Sequence, residues 1–300
     1  MAQKWFRSKQ LNEIVMHVNK LLIPTELNEL SNVVIDFSID LAKQIQINEI
    51  VLLNLIIPAH VQALTASGEA IDAHGKLVMQ LNDSMMTRHK DLLKQQARRH
   101  AIPDINIKTV VKFTASKSDL NHYMKEFNAG LIVSGSQDKI SFMQLLFGSP
   151  TETLIRKIDY PIIIIKEEPV SHQIREIALA IDISEGEDQP GIDEVIAFTR
   201  MLNARLQLVN VITNDKHDAS VAIDTLNAIA KKKRVKNYAI HVLESYSLED
   251  ALHSFSRRHN PDMIALLNQG KGKLHKLIFG SHTEDVLKEV DKPVFISKMK

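Results

Sequence analysis

The chain has 300 residues, 44% of them hydrophobic, a formal net charge of +1 and no cysteine. That length and apolar fraction support two domains, each with its own core, while near-zero net charge supplies no whole-molecule field to recruit nucleic acid or a membrane surface. The missing thiols exclude disulfides, thiolate metal sites and cysteine nucleophiles, and no run of about 18 apolar residues is present to span a bilayer. Met1–Val18 lacks an uninterrupted apolar stretch and a small-residue cleavage site, so the expectation is a cytoplasmic protein without a secretory leader.

In chain order, residues 1–17 read as a short arm or helix with Trp5 and Phe6 as anchors. A strand is predicted over 20–24, followed by a helix whose Leu30, Val33, Val34, Phe37 and Leu41 recur along one face. The continuous apolar run 49–57 has the pattern of a parallel strand buried on both faces. Around Pro58–Gln80, His60, Gly68, His74 and Gly75 interrupt the periodicity, which predicts a loop and a lengthened helix ending near Arg98-Arg99-His100. Strand 105–113, helix 116–128, strand 131–133, a helix starting near Ser149 and strand 162–165 complete the first half. After a join at 167–173 containing Pro169 the order repeats. Strands are predicted at 177–181, 206–212, 238–243, 263–267 and 294–296, and helices at 191–203, 220–233, 247–259 and 283–290. Strands alternating with helices predict right-handed crossovers and a parallel sheet with helices on both faces.

The two halves are copies. FGSPTETLIRKIDYPIIIIK (147–166) and FGSHTEDVLKEVDKPVFISK (279–298) align without a gap, and nine of their twenty positions are identical. Leu52-Leu53-Asn54-Leu55 likewise matches Leu208-Val209-Asn210-Val211 in the second strand of each copy. The resulting division is an arm (1–17), a first domain (18–168), a linker (169–173) and a second domain (174–300). So short a join holds the domains together as an intramolecular pseudo-dimer. They are expected to pair through their last strands, 162–165 and 294–296, or through adjoining faces, because apolar open edges invite pairing.

In a sheet of this kind, ligands bind beyond the carboxyl ends of the strands, where strand order reverses. In the second copy that end carries Asp182 and the loop Asn268–Phe279 leading into Gly280-Ser281. Its glycines let backbone N–H groups approach phosphate oxygens, the helix start at Gly280-Ser281 offers unpaired N–H donors, and Lys271, Lys273 and Lys276 add positive charge. Ser149-x-x-Glu152 and Ser281-x-x-Glu284 have capping-box spacing, which gives both glutamates a structural role. Lys231-Lys232-Lys233-Arg234 reads as a solvated helix end rather than a nucleic-acid patch. No His-x-x-x-His, Walker lysine or GxSxG pattern is present, so no metal ligand and no catalytic residue is assigned.

On these residues the chain resembles the universal stress protein family in tandem form. The family's signature is Gly-x-x-Gly, nine residues, then Gly-Ser or Gly-Thr, a Thr/Ala-Glu helix and a Pro-Val strand. The resemblance implies two tandem open five-stranded parallel sheets of strand order 3-2-1-4-5, a Rossmann-like fold of the adenine nucleotide alpha hydrolase kind. It also implies a non-enzymatic stress-response or regulatory binding protein, with ATP or another adenine nucleotide as its cofactor. The adenosine would be held by Asp182 and the backbone of Val211, and the phosphates by Gly270, Gly272, Gly280 and Ser281. Leu267 stands where the family's first glycine belongs. In the first copy, Gly135 and Gly148-Ser149 are present, but Asp138 replaces the second glycine and Glu26 replaces the aspartate. A carboxylate facing phosphate is repulsive, so one nucleotide, in the second copy, is the expectation. Two alternatives stay open: an interaction module with both pockets degenerate, and a slow ATP hydrolase. Homodimerisation beyond the intrachain pairing also stays open.

Overall fold

The computed structural model describes residues 16–58, 68–114, 120–135, 158–166, 173–186, 188–189, 191–212, 218–267 and 291–297. The first half runs β1 (Leu21–Pro24), α1 (Glu29–Gln44), β2 (Glu49–Ile56), α2 (Gly68–Arg99), β3 (Asn106–Phe113), α3 (Leu120–Phe127), β4 (Leu131–Gly135) and β5 (Ile162–Ile165). The second runs β6 (Glu176–Ala180), a short 3-10 turn (Ile183–Glu185), α4 (Ile192–Met201), β7 (Arg205–Ile212), α5 (Ala219–Lys232), β8 (Tyr238–Glu244), α6 (Leu248–His259), β9 (Met263–Leu267) and β10 (Val294–Ser297). The expected arm with Trp5 and Phe6, and the two closing helices, lie outside the described residues.

Helix starts follow local chemistry. Asn28, Asp218 and Ser247 each accept a backbone N–H of the first turn of α1, α5 and α6, satisfying donors that a helix leaves unpaired. At α5 the hydrogen bonds from Ser220 hold the Asp218 carboxyl below its ordinary pKa. The predicted lengthening in the first half is real: α2 has 32 residues, against 14 in its counterpart α5, and it runs through His74 and Gly75.

Each half has the order third, second, first, fourth, fifth strand, as the resemblance implies. The halves pair through their last strands, as expected: β5 and β10 run antiparallel and join the two five-stranded sheets into one of ten strands, β3-β2-β1-β4-β5-β10-β9-β6-β7-β8. The cause is in the sequence of the seam. Ile162, Ile163, Ile164 and Ile165 face Val294, Phe295 and Ile296, all at most 3% exposed. Leaving either edge in water would forgo about 1.5–3 kcal/mol for each such side chain.

Side-chain alternation splits the core into two layers. Leu21, Ile23, Leu131, Leu179, Leu206 and Phe295 face α1, α2, α4 and α5, and Phe198 of α4 stacks on Phe295 at 4.6 Å. Leu22, Ile132, Ala178, Val209 and Ile264 face α3 and α6. The halves are also joined by polar contacts. Gln44 at the end of α1 donates to the carbonyls of Ile174 (2.7 Å) and Leu202 (3.0 Å) and accepts from Ile174 N (3.0 Å).

Candidate functional site

Strand order reverses between β6 and β9, so their carboxyl ends form the mouth where a ligand can sit. Asp182 follows β6 and turns the chain over that mouth. Its Oδ1 accepts from Ser184 N (3.0 Å) and Ser184 Oγ (2.6 Å), capping the 3-10 turn. Gln189 Nε2 donates to the carbonyls of Asp182 (2.6 Å) and Gly186 (2.9 Å), and Gly186 allows the turn by sitting at φ 82°. One carboxylate oxygen is thus committed to the turn, while Oδ2 makes no hydrogen bond among the described residues.

Val211 reaches the same mouth. Ile181 N donates to Val209 O at 2.8 Å, the last backbone contact between β6's exit and β7. Two residues on, the backbone polar groups of Val211 point to the same side of β7, past the end of β6. Asp182 and Val211 thus both lie at the carboxyl end of the paired strands β6 and β7. Gly270, Gly272, Gly280 and Ser281 lie outside the described residues, as do Asp138, Gly148 and Ser149 in the first half.

Under each mouth lies a feature that sequence reasoning passed over. In both copies an asparagine of the second strand donates to the carbonyl leaving the first strand: Asn54 Nδ2 to Thr25 O at 2.7 Å, and Asn210 Nδ2 to Ile181 O at 2.9 Å. The two copies then diverge. In the first, His89 of α2 bonds Asn54 Oδ1 (2.7 Å), and Gln96 of α2 accepts from Thr25 Oγ1 (3.4 Å). In the second, Ala222 and Ile229 of α5 are the buried residues at matching helix positions, Ile181 replaces Thr25, and Asn210 Oδ1 is buried without a partner among the described residues. The signal was available: Asn54 and Asn210 occupy one place in two otherwise apolar strands.

The last position of β4 and β9 also differs between copies. A Cβ on Gly135 would stand 2.5 Å from Leu30 Cδ2, so α1 packs directly on that glycine. Leu267, the residue at Gly135's place, is 1% exposed. Its Cδ2 lies 3.4 Å from where a Cβ on Gly191 would be, and Gly191 opens α4 at φ 87°. The leucine side chain is taken up beneath the start of α4. The glycine has moved from strand to helix.

The lysine run is only partly solvated. Lys232 pairs with Asp188 (2.9 Å) beside the Asp182 turn, and holds that carboxyl below its ordinary pKa, while Lys233 pairs with Asp193 of α4 (2.7 Å). Among the described residues no group of three His, Cys, Asp or Glu could hold a metal ion, and no helix is long and apolar enough to cross a membrane.

Comparison with known proteins agrees with this geometry. The universal stress protein family model matches residues 17–166 and again 173–298. The chain belongs to the universal stress protein family. Among solved structures, a universal stress protein from Archaeoglobus fulgidus DSM 4304 superposes with a TM-score of 0.63 at 19% identity, covering 95% of this chain and 98% of that one. A functionally unknown protein from Pseudomonas aeruginosa PAO1 gives 0.59 at 12% identity, over 95% and 94% of the two chains. The cytoplasmic domain of a prokaryotic cation chloride cotransporter gives 0.50 at 12% identity, over 94% and 96%. A search of curated proteins finds no match. The tandem architecture is thus shared across nearly the full length of these structures.

Proposed function

We propose that this tandem universal stress protein is a non-enzymatic, cytoplasmic regulatory protein that holds one adenine nucleotide, in its second half. The carrying observation is the asymmetry between the two mouths. Among the described residues Asp182 keeps one carboxylate oxygen uncommitted, at the same end of the sheet as Val211's outward backbone. In the first half Glu26 occupies that place, beside a turn that Gln96 and His89 of the long helix α2 tie down. A ribose hydroxyl donating to Asp182 and an adenine edge meeting the Val211 backbone would place the phosphates toward Gly270, Gly272, Gly280 and Ser281. The lysines beside those residues supply compensating charge. Nothing in the described geometry pairs a nucleophile with a base, which favours binding over turnover.

Titration calorimetry with ATP tests the reading. Wild type should bind, and Asp182→Ala should weaken binding by roughly tenfold or more, the loss of about one charge-assisted hydrogen bond. Equal affinity in wild type and Asp182→Ala would place the nucleotide elsewhere.

A further inference from the structure

At the other end of the second half, a cavity of about 530 Å³ opens between the end of α4, the start of β7 and the connection from α5 to β8. Its floor is apolar, formed by Ile196, Leu206 and Val235, and its rim carries Arg200, Arg234, Lys236, Asn203 and Asn237. No carboxylate lines it. Arg200 Nη2 donates to the carbonyls of Lys233 (2.9 Å) and Arg234 (3.4 Å), which fixes the guanidinium at the rim. Among the described residues, the side chains of Arg234, Lys236, Asn203 and Asn237 make no hydrogen bond or ion pair. The neighbouring lysines of the run are already engaged elsewhere, Lys232 by Asp188 and Lys233 by Asp193.

Bases at a helix end can be there only to satisfy its last carbonyls. That accounts for Arg200 but not for Lys236, which lies beyond the helix. The first half provides the control, since the same two helix ends meet there with a different surface. Lys43, at the place of Arg200, pairs with Asp40 at 3.7 Å, and the connection 100–105 carries Asp104 and a single base, His100, which is committed to Asp36 (2.7 Å) and Asn32 (3.1 Å). The repeat alone does not require a basic cavity.

We infer that this cavity is a second binding site, for a small organic phosphate whose anionic group lies among Arg200, Arg234 and Lys236 and whose apolar body lies on Ile196, Leu206 and Val235. A dianion with several acceptor oxygens matches three bases and two carboxamides, and the volume falls within the range of small-ligand pockets. The site is separate from the mouth at Asp182 and stands independently of the nucleotide reading.

The probe is phenyl phosphate, titrated calorimetrically into the full chain beside inorganic phosphate. Saturable binding of phenyl phosphate is expected, tighter than that of inorganic phosphate. It should weaken by roughly tenfold or more in the double variant R234E/K236E, whose two exposed positions leave the core intact, and stay unchanged in Asp182→Ala. Three results overturn the assignment: no saturation by about 10 mM, equal affinity in R234E/K236E, or loss of binding in Asp182→Ala, which would put the probe in the carboxyl-end mouth. Thermal melting of both variants confirms that an observed loss reflects the site rather than unfolding.

Discussion

Gly191→Ala tests the packing that replaces the family's first glycine with Leu267. At φ 87° an alanine is strained, by about 1–2 kcal/mol. Its Cβ would overlap Ser297 Oγ and approach Ser297 Cβ at 3.3 Å, and Ser297 is wholly buried. Overpacking of this kind typically adds about 1–3 kcal/mol. A total near 3 kcal/mol lowers the melting temperature by roughly 6–12 °C in a chain of this size. Ser297→Ala alone should be neutral or stabilising by up to about 1 kcal/mol, because the hydroxyl is buried with no partner. The double variant should recover the overlap energy and keep the backbone strain. Urea denaturation of the four proteins measures the cycle. A cost below about 0.5 kcal/mol for Gly191→Ala, or additivity within that margin, would refute the reasoning.

Asn54→Leu should destabilise by about 0.5–1.5 kcal/mol more than Asn210→Leu, since only the first also loses the hydrogen bond to His89 Nδ1; equal losses in denaturant would show that the polar pair contributes nothing. His241 lies between β8 and α6 against Phe255 (4.9 Å) and His259 (4.6 Å), and burial, then the charges of His259 and Arg205, push its pKa below 6.5 while Glu176 opposes them. Being harder to protonate when folded, it adds nothing unfavourable above 6.5. It destabilises increasingly as pH falls from 6.5 through its lower folded value, and levels off below that. His241→Phe should therefore flatten the fall in melting temperature as pH drops below about 6.5, and an unchanged slope would remove His241 as its source.

Much of the architecture was legible because its signals are local and written twice. The apolar strands at 162–165 and 263–267 appear at those bounds, and the seam was readable from two apolar edges that water could not be left to cover. What was not legible depends on pairs of residues far apart in the chain. Thr25 with Gln96, Asn54 with His89, and Leu267 with Gly191 each make sense only once a helix is laid on the sheet. The same holds for Arg234 and Lys236. As sequence they end a lysine run; in the fold they face Arg200 across a cavity. At the carboxyl-end mouth, Asp182 caps a turn after β6. Ser184's claim on one oxygen of Asp182 was not foreseen, because an aspartate two residues before a serine is equally at home as a cap.

The central claim is that two copies of one fold have come to hold a single nucleotide. Native mass spectrometry of the full chain with saturating ATP counts the bound molecules directly. The account predicts one per chain, lost in Asp182→Ala and retained in Glu26→Ala. Two nucleotides per chain, or none, would contradict it.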